Sequence, residues 1–218
     1  MSILSPRILR ALERFNAAYP WDHNSHYHRW ILRRLPEHFG AALDIGSGSG
    51  DLARLLAGRA ASVEGVDSDP GITARARELT PSTLPVTFHV ADAMVEFPEG
   101  PYDVITCVAT IHHLPFAQAL TCFRRHLAPG GTLVVVGLHR ARTPVDHLLG
   151  AVAVPANAAM GWLKNRGRRS PRPVSMTAPT RAADMTYDDI VRATGTVLPG
   201  ARLRRRLFWR YTLVWNHP

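Results

Sequence analysis

The feature that most limits what this chain can fold into is a glycine-rich loop, Leu43-Asp44-Ile45-Gly46-Ser47-Gly48-Ser49-Gly50-Asp51. It follows an apolar run and opens a helix-like segment. Glycines at that junction let backbone approach a ligand at the carboxyl end of a parallel sheet. In a dinucleotide loop a further glycine would stand at position 51, and the pyrophosphate would rest on the helix N-terminus. This chain has Asp51 there. A carboxylate repels a pyrophosphate, but it is harmless beside a cofactor without phosphate and complements the positive end of the helix.

Around the loop, residues 41–138 alternate between short apolar runs and helix-like segments. The runs 41–45, 62–66, 86–90, 102–108 and 132–138 predict strands, and 52–57, 72–79 and 116–127 predict helices. This rhythm predicts βαβ units and one mostly parallel sheet with helices on both faces. The runs are continuous rather than alternating, as in strands buried on both sides. Residues 1–40 read as helical and rich in aromatic residues and histidine, and residues 139–185 break the rhythm. The apolar stretch 148–163 reads as a cap helix over an apolar acceptor rather than a membrane-docking element, with Pro155 and its small neighbours expected to break it. Residues 164–173 are basic and proline-rich. Thr186 reads as a helix N-cap with acidic residues behind it. Residues 202–215 read as two strands around Phe208 and Trp209.

Three carboxylates stand at strand ends: Asp44, Asp67 and Asp92. Asp67 lies about 20 residues beyond the loop, where an acidic side chain accepts ribose hydroxyls. Asp92, with the backbone of Ala93, suits the amino group and ring nitrogen of an adenine, and Asp44 suits an ammonium. One such carboxylate is an ordinary turn residue, but three on one edge behind a glycine loop form a constellation.

Together these motifs resemble the class I S-adenosylmethionine (SAM) dependent methyltransferases, in the small-molecule branch similar to the ubiquinone and menaquinone biosynthesis enzymes. The matching pieces are residues 43–50, Gly65-Val66-Asp67, Ala91-Asp92-Ala93, Tyr102-Asp103-Val104-Ile105, His112-His113-Leu114, and Leu127-Ala128-Pro129-Gly130-Gly131-Thr132-Leu133. The resemblance covers residues 10–140 well; the final strand, residues 210–215, also fits, and 139–185 matches nothing. It implies a Rossmann-like seven-stranded sheet with the last strand antiparallel, and SAM as cofactor. It assigns SAM binding to Asp44, Gly46, Ser47, Gly48, Gly50, Asp67, Ser68, Asp92 and Ala93, with the backbone of Cys107 and Val108 near the methionine part. It makes Pro129-Gly130-Gly131 a turn before the fifth strand. The chain is expected to form one domain, with an N-terminal lid (1–40), a SAM-binding core (41–138), a substrate-cap insertion (139–185) and a C-terminal helix with a strand pair (186–218).

Methyl transfer from a sulfonium needs alignment, exclusion of water and, for a hydroxyl or carbon acceptor, removal of a proton. His113 and His112 follow the fourth strand and are the candidate bases; in the N-terminal segment Asp22 or Tyr19 is expected to contact substrate or SAM, with Tyr19 a further catalytic candidate. Aromatic rings in residues 19–30 can shield the site and contact a sulfonium. His23, His26 and His28 lack the carboxylate shell of a metal site, so no metal is expected. The expected acceptor is a small, apolar or aromatic molecule of secondary metabolism or quinone type, with O-methylation favoured over C- or N-methylation.

The net charge of +9 raises an RNA-methylating alternative. Arginine supplies nearly all of the positive charge, Lys164 being the only lysine, which fits a GC-rich genome. Residues 107–110 read Cys-Val-Ala-Thr, neither an Asn/Asp-Pro-Pro-aromatic loop nor a Pro-flanked nucleophilic cysteine, so no nucleic-acid partner is expected. A SAM-binding protein of this fold with a non-methylating or a non-catalytic role is the remaining alternative. Cys107 and Cys122 make no disulfide framework. No secretory signal and no apolar run of about 20 residues is visible, so a cytoplasmic enzyme is expected.

Overall fold

Each apolar run of the central region becomes a strand because it can be buried from two sides. The computed structural model describes residues 6–176 and 181–218. Its strands are β1 (Phe39–Ile45), β2 (Ala60–Asp67), β3 (Val86–Val90), β4 (Tyr102–Val108), β5 (Leu127–Leu138), β6 (Arg202–Arg206) and β7 (Arg210–Asn216). They form one sheet in the order β3-β2-β1-β4-β5-β7-β6. The first five strands run parallel, and β7 is antiparallel to both β5 and β6.

The helices are α1 (Pro6–Ala18), α2 (Ser25–Leu32), α3 (Asp51–Leu56), α4 (Pro70–Leu79), α5 (Phe116–His126), α6 (Pro144–Lys164) and α7 (Tyr187–Val197). Alternate residues of each central strand feed opposite cores. Ala42, Val104, Val134 and Val136 pack with Tyr27 and Ile31 of α2, Leu52 and Leu56 of α3, and Ala76 of α4. Leu43, Ile105, Leu133 and Val135 pack with Leu120 and Phe123 of α5 and Ile190 of α7. Residues 133–136 of β5 are fully buried, which is why their sequence shows no alternation.

Two local readings change. Pro129, Gly130 and Gly131 do not form a turn ahead of the fifth strand. They lie within β5, where the pairing with β4 slips between Tyr102 and Val104, and Gly130 takes φ +76°. Such a bulge keeps both ends of the strand in the sheet. Pro155 does not break the apolar stretch either, for α6 runs 21 residues through it. The helix starts on a capping box, Thr143 with Asp146, with Pro144 at the first position. A second capping box, Thr186 with Asp189, starts α7 at the expected residue.

The β6–β7 hairpin closes around Leu207, Phe208 and Trp209, with Phe208 and Trp209 both left-handed at φ +61° and +59°. Non-glycine residues hold that conformation only where packing enforces it. Here Phe208 is buried, its ring edge-on to Trp21 at 4.9 Å, within a small core shared with Ala153 of α6. The Tyr27 hydroxyl donates to the Leu207 carbonyl at 2.8 Å. Thus the segment before β1 is held by α6 and by the hairpin tip.

Candidate active site

The chain leaves β1 toward β2 and β3 on one side, and β4 toward β5 on the other. This reversal opens a crevice at the carboxyl ends of β1 and β4, where open α/β sheets bind ligands. A cleft of about 380 Å³ lies there, a usual size for a small-molecule site of about 300–1,000 Å³.

Its floor is the glycine loop. The N–H groups of Gly46 and Ser47 both donate to the Val66 carbonyl, at 2.7 and 3.0 Å, clamping the loop to β2. Gly46 has φ +69°, and a Cβ there would lie 1.9 Å from Thr110 Oγ1. No other residue fits between the β1 and β4 loops. Gly50 does not line the cleft: it caps α3 at φ +77°, and an added Cβ would strike Phe88. Asp51 occupies the first turn of α3, pairs with Arg54 at 2.6 Å and accepts from the Ser49 hydroxyl. Ser47 Oγ is buried with no hydrogen-bond partner, a polar atom left over for a ligand.

The strand-end carboxylates converge on this floor. Asp44 is buried at 2% exposure and accepts from Thr106 Oγ1 at 2.7 Å. Burial pushes its carboxyl up to about 7; the Thr106 bond opposes that rise and the charge of Asp67 adds to it. Asp67 accepts from the Gly48 N–H at 2.9 Å and the Asp69 N–H at 3.0 Å. A carboxylate has about four lone-pair sites, so both oxygens retain acceptor capacity. Asp92 accepts from the Met94 N–H at 2.8 Å and is otherwise exposed beside buried Ala93. Ser68 and Val108 complete this part of the lining.

Three further sequence candidates fall elsewhere. Cys107 is fully buried and does not line the cleft; burial and the neighbouring Asp44 push its thiol up, so it is an inert core residue. His112 packs on His113 at 4.2 Å but also stays outside the lining. Burial and the adjacent His113 hold its imidazole down at about 4. Tyr19 rests on Phe15 at 4.7 Å and does not reach the cleft. Of the catalytic candidates, His113 alone lines it, at the mouth and exposed, with its pKa lowered by burial and by Arg181.

The N-terminal segment instead contributes Asp22, Asn24 and His28. The last two stand four residues apart and so share a face at the start of α2. Asp22 accepts from the Asn24 N–H at 2.7 Å. His28 is buried, which lowers its pKa, while Asp22 and Asp51 pull it upward. Thr106, not singled out by the sequence, pairs with Asp44 across adjacent parallel strands. Ser175, from the 3-10 turn Val174–Met176, lines the cleft from the segment that matched nothing. Ala109, just beyond β4, takes φ +53° at the cleft wall, a strained position of the kind that gathers at ligand sites.

The electrostatic character of the cleft is opposite to that of the chain. Asp22, Asp44, Asp51, Asp67, Asp69 and Asp92 line it, and no lysine or arginine does among the described residues, in a protein of net charge +9. Such a lining suits a cationic ligand rich in hydroxyl and amino donors and repels a pyrophosphate. No group of histidine, cysteine or acidic residues among those described is arranged to hold a metal.

Comparisons with known proteins agree on one group. Residues 43–135 match the family described as "Methyltransferase domain". An uncharacterized methyltransferase of Mycobacterium tuberculosis is 31% identical over 91% of this chain and 98% of its own length. A ubiquinone biosynthesis O-methyltransferase of Pseudomonas aeruginosa is 32% identical over 76% of this chain and 72% of its own. Among solved structures, the N-methyltransferase NodS of Bradyrhizobium japonicum, in complex with S-adenosylhomocysteine, superposes with a TM-score of 0.60. It covers 96% of this chain and 97% of its own at 17% identity.

Proposed function

This chain belongs to the class I SAM-dependent methyltransferases, and from that premise we propose that it methylates a small, apolar or aromatic hydroxyl-bearing acceptor. The observation that carries the reading is the aspartate-lined cleft without a lysine or arginine among the described residues, at the switch point of the sheet. When bound there, SAM supplies an electrophilic methyl group on a sulfonium.

The residues divide the remaining work. Asp67, braced by the Gly48 and Asp69 N–H groups, is placed to accept the ribose hydroxyls without rearranging. Asp92 with Ala93 serves the adenine. Asp44 and the unpaired Ser47 hydroxyl serve the amino-acid portion; an ammonium beside Asp44 favours its ionised form and offsets its burial. Asp22, Asn24 and His28 close one side and help exclude water. Residues 19–30 thereby serve as the lid of the site, and Ser175 brings the cap insertion to its edge.

His113 is the proton acceptor in this reading. It faces the cleft, and its lowered pKa keeps the imidazole neutral near pH 7, as a base must be. Support for O-methylation of a quinol- or phenol-like acceptor comes from the Pseudomonas aeruginosa relative. The test pairs calorimetry against SAM, S-adenosylhomocysteine and NADH with a panel of phenol, catechol and hydroquinone acceptors assayed for methylated product. Tight NADH binding without SAM binding would sink the cofactor assignment. Methylation confined to amines or to RNA would sink the acceptor class.

A further inference from the structure

Helix α6 turns its small and polar side inward and its apolar side to solvent. Asp146, Ala153, Asn157 and Gly161 are buried. Asn157 Oδ1 accepts from Trp21 Nε1 at 2.8 Å. Gly161 lies so close to the Tyr19 carbonyl that a Cβ would be 2.5 Å from it. At about 100° per residue, the opposite side of the helix carries Val145, Leu148, Val152, Trp162 and Leu163. These are 53, 65, 48, 50 and 59% exposed, with Pro155 and Ala159 exposed between them. Trp209 of the hairpin tip lies against Gly150 on the inward side of the helix and is not part of this stripe. A continuous exposed apolar stripe along a whole helix marks a docking surface.

What covers it is indicated by charge. The helix runs directly into Lys164, Arg166, Arg168, Arg169 and Arg172, and residues 147–183 contain no aspartate or glutamate. None of these five cations makes an ion pair among the described residues. An apolar stripe that includes an exposed tryptophan, with unpaired basic residues at its end, is complementary to an anionic bilayer surface. A second copy would bring an equally basic segment, and a nucleic acid would leave the apolar stripe unexplained.

We propose that α6 and the basic segment after it dock the protein on anionic lipid, with the helix in the plane of the interface. No helix among the described residues is long and apolar enough to cross a membrane, so this is attachment at one surface. The 3-10 turn that follows the basic segment supplies Ser175 to the cleft, joining the docking surface to the active site through one short stretch of chain. The inference does not depend on the identity of the acceptor.

The full chain is floated with phosphatidylcholine vesicles, with and without about one third phosphatidylglycerol, at low and at physiological salt. Partition into the anionic vesicles alone, weakened by salt and accompanied by a blue shift of tryptophan emission, is expected. Replacing Arg166, Arg168 and Arg169 together by serine lowers partition by about a hundredfold, at roughly fivefold per residue. The variant Leu148→Asn/Val152→Asn/Leu163→Asn lowers it at least tenfold, while thermal unfolding and S-adenosylhomocysteine binding verify that both variants fold. Equal binding to both vesicle types, no binding to either, or unchanged binding by the apolar variant overturns the proposal. So does a wild-type dimer in sedimentation that the apolar variant dissociates, or RNA binding without vesicle binding.

Discussion

Replacing Asp44 by asparagine tests the electrostatics of the cleft without any ligand. Asp44 is buried and holds one hydrogen bond, from Thr106 Oγ1. Burial moves its carboxyl from the ordinary 3.8 to about 7, a shift of roughly three units, and at about 1.4 kcal/mol per unit this amounts to about 4 kcal/mol. The folded pKa is raised above the unfolded one. The associated stability is therefore fully present below about pH 4 and is lost as pH rises through about 7. The asparagine side chain is uncharged at every pH, and its amide oxygen keeps the Thr106 bond. The ligand-free variant is therefore expected to unfold at higher temperature than wild type at pH 8, and at nearly the same temperature at pH 4. With about 4 kcal/mol as the upper limit and about 2–4 °C per kcal/mol for a chain of this size, the gain at pH 8 is at most about 8–16 °C. The variant-minus-wild-type difference isolates Asp44 from the other ionisable groups, which both proteins share. Calorimetry at pH 8 is expected to show weaker S-adenosylhomocysteine binding by the same variant. A variant less stable than wild type at pH 8, or a difference independent of pH, would refute the reasoning.

Asp67→Ala should weaken S-adenosylhomocysteine binding by about 2–4 kcal/mol, the range for truncating one partner of a buried charged pair; affinity equal to wild type would place the ribose anchor elsewhere. Gly46→Ala should abolish binding and destabilise the fold by at least ~2 kcal/mol, since the residue combines φ +69° with a Cβ position 1.9 Å from Thr110 Oγ1; a variant with normal affinity would contradict the observed contact between the two loops. His113→Ala should lower kcat by about 10²-fold or more with little change in SAM affinity, and remove the acidic limb of the pH–rate profile, whereas a retained limb would exclude His113 as the base. Hydrogen exchange around residues 19–30 should slow when S-adenosylhomocysteine is added, and equal protection with and without it would remove the gating role from that segment.

The sheet was legible because the strands are buried on both faces and therefore spell themselves as unbroken apolar runs, as residues 133–136 show. The cofactor floor was legible because glycines and strand-end carboxylates are constrained by local backbone geometry, which Gly46 and Asp67 illustrate. What the sequence hid depends on tertiary contact. Tyr19 and Asn24 are five residues apart in the same polar-aromatic segment, yet only Asn24 reaches the cleft, because α2 packs on α3 beside it while Tyr19 is held between Phe15 and Gly161 of α6. Pro155 reads as a breaker, but the helix around it is fixed by the Thr143–Asp146 cap and by Asn157 and Gly161 against the N-terminal segment. The Thr143–Asp146 capping box lies upstream of the apolar stretch and fixes where α6 starts. The bulge at Gly130 is invisible without the β4 register that it interrupts.

The left-handed hairpin tip gives the protein an order of completion. The wall that supplies Asp22, Asn24 and His28 lies near the start of the chain. Its supports include Phe208 against Trp21, the Leu207 carbonyl against Tyr27, and Arg210 Nη2, which donates to Asn24 at 3.0 Å. All three supports come from residues 207–210, which are synthesised after β1 through β5. A nascent chain can thus assemble β1 through β5 with the cleft still open on one side, and ligand competence arrives only once the C-terminal hairpin has left the ribosome and folded back onto the first helices.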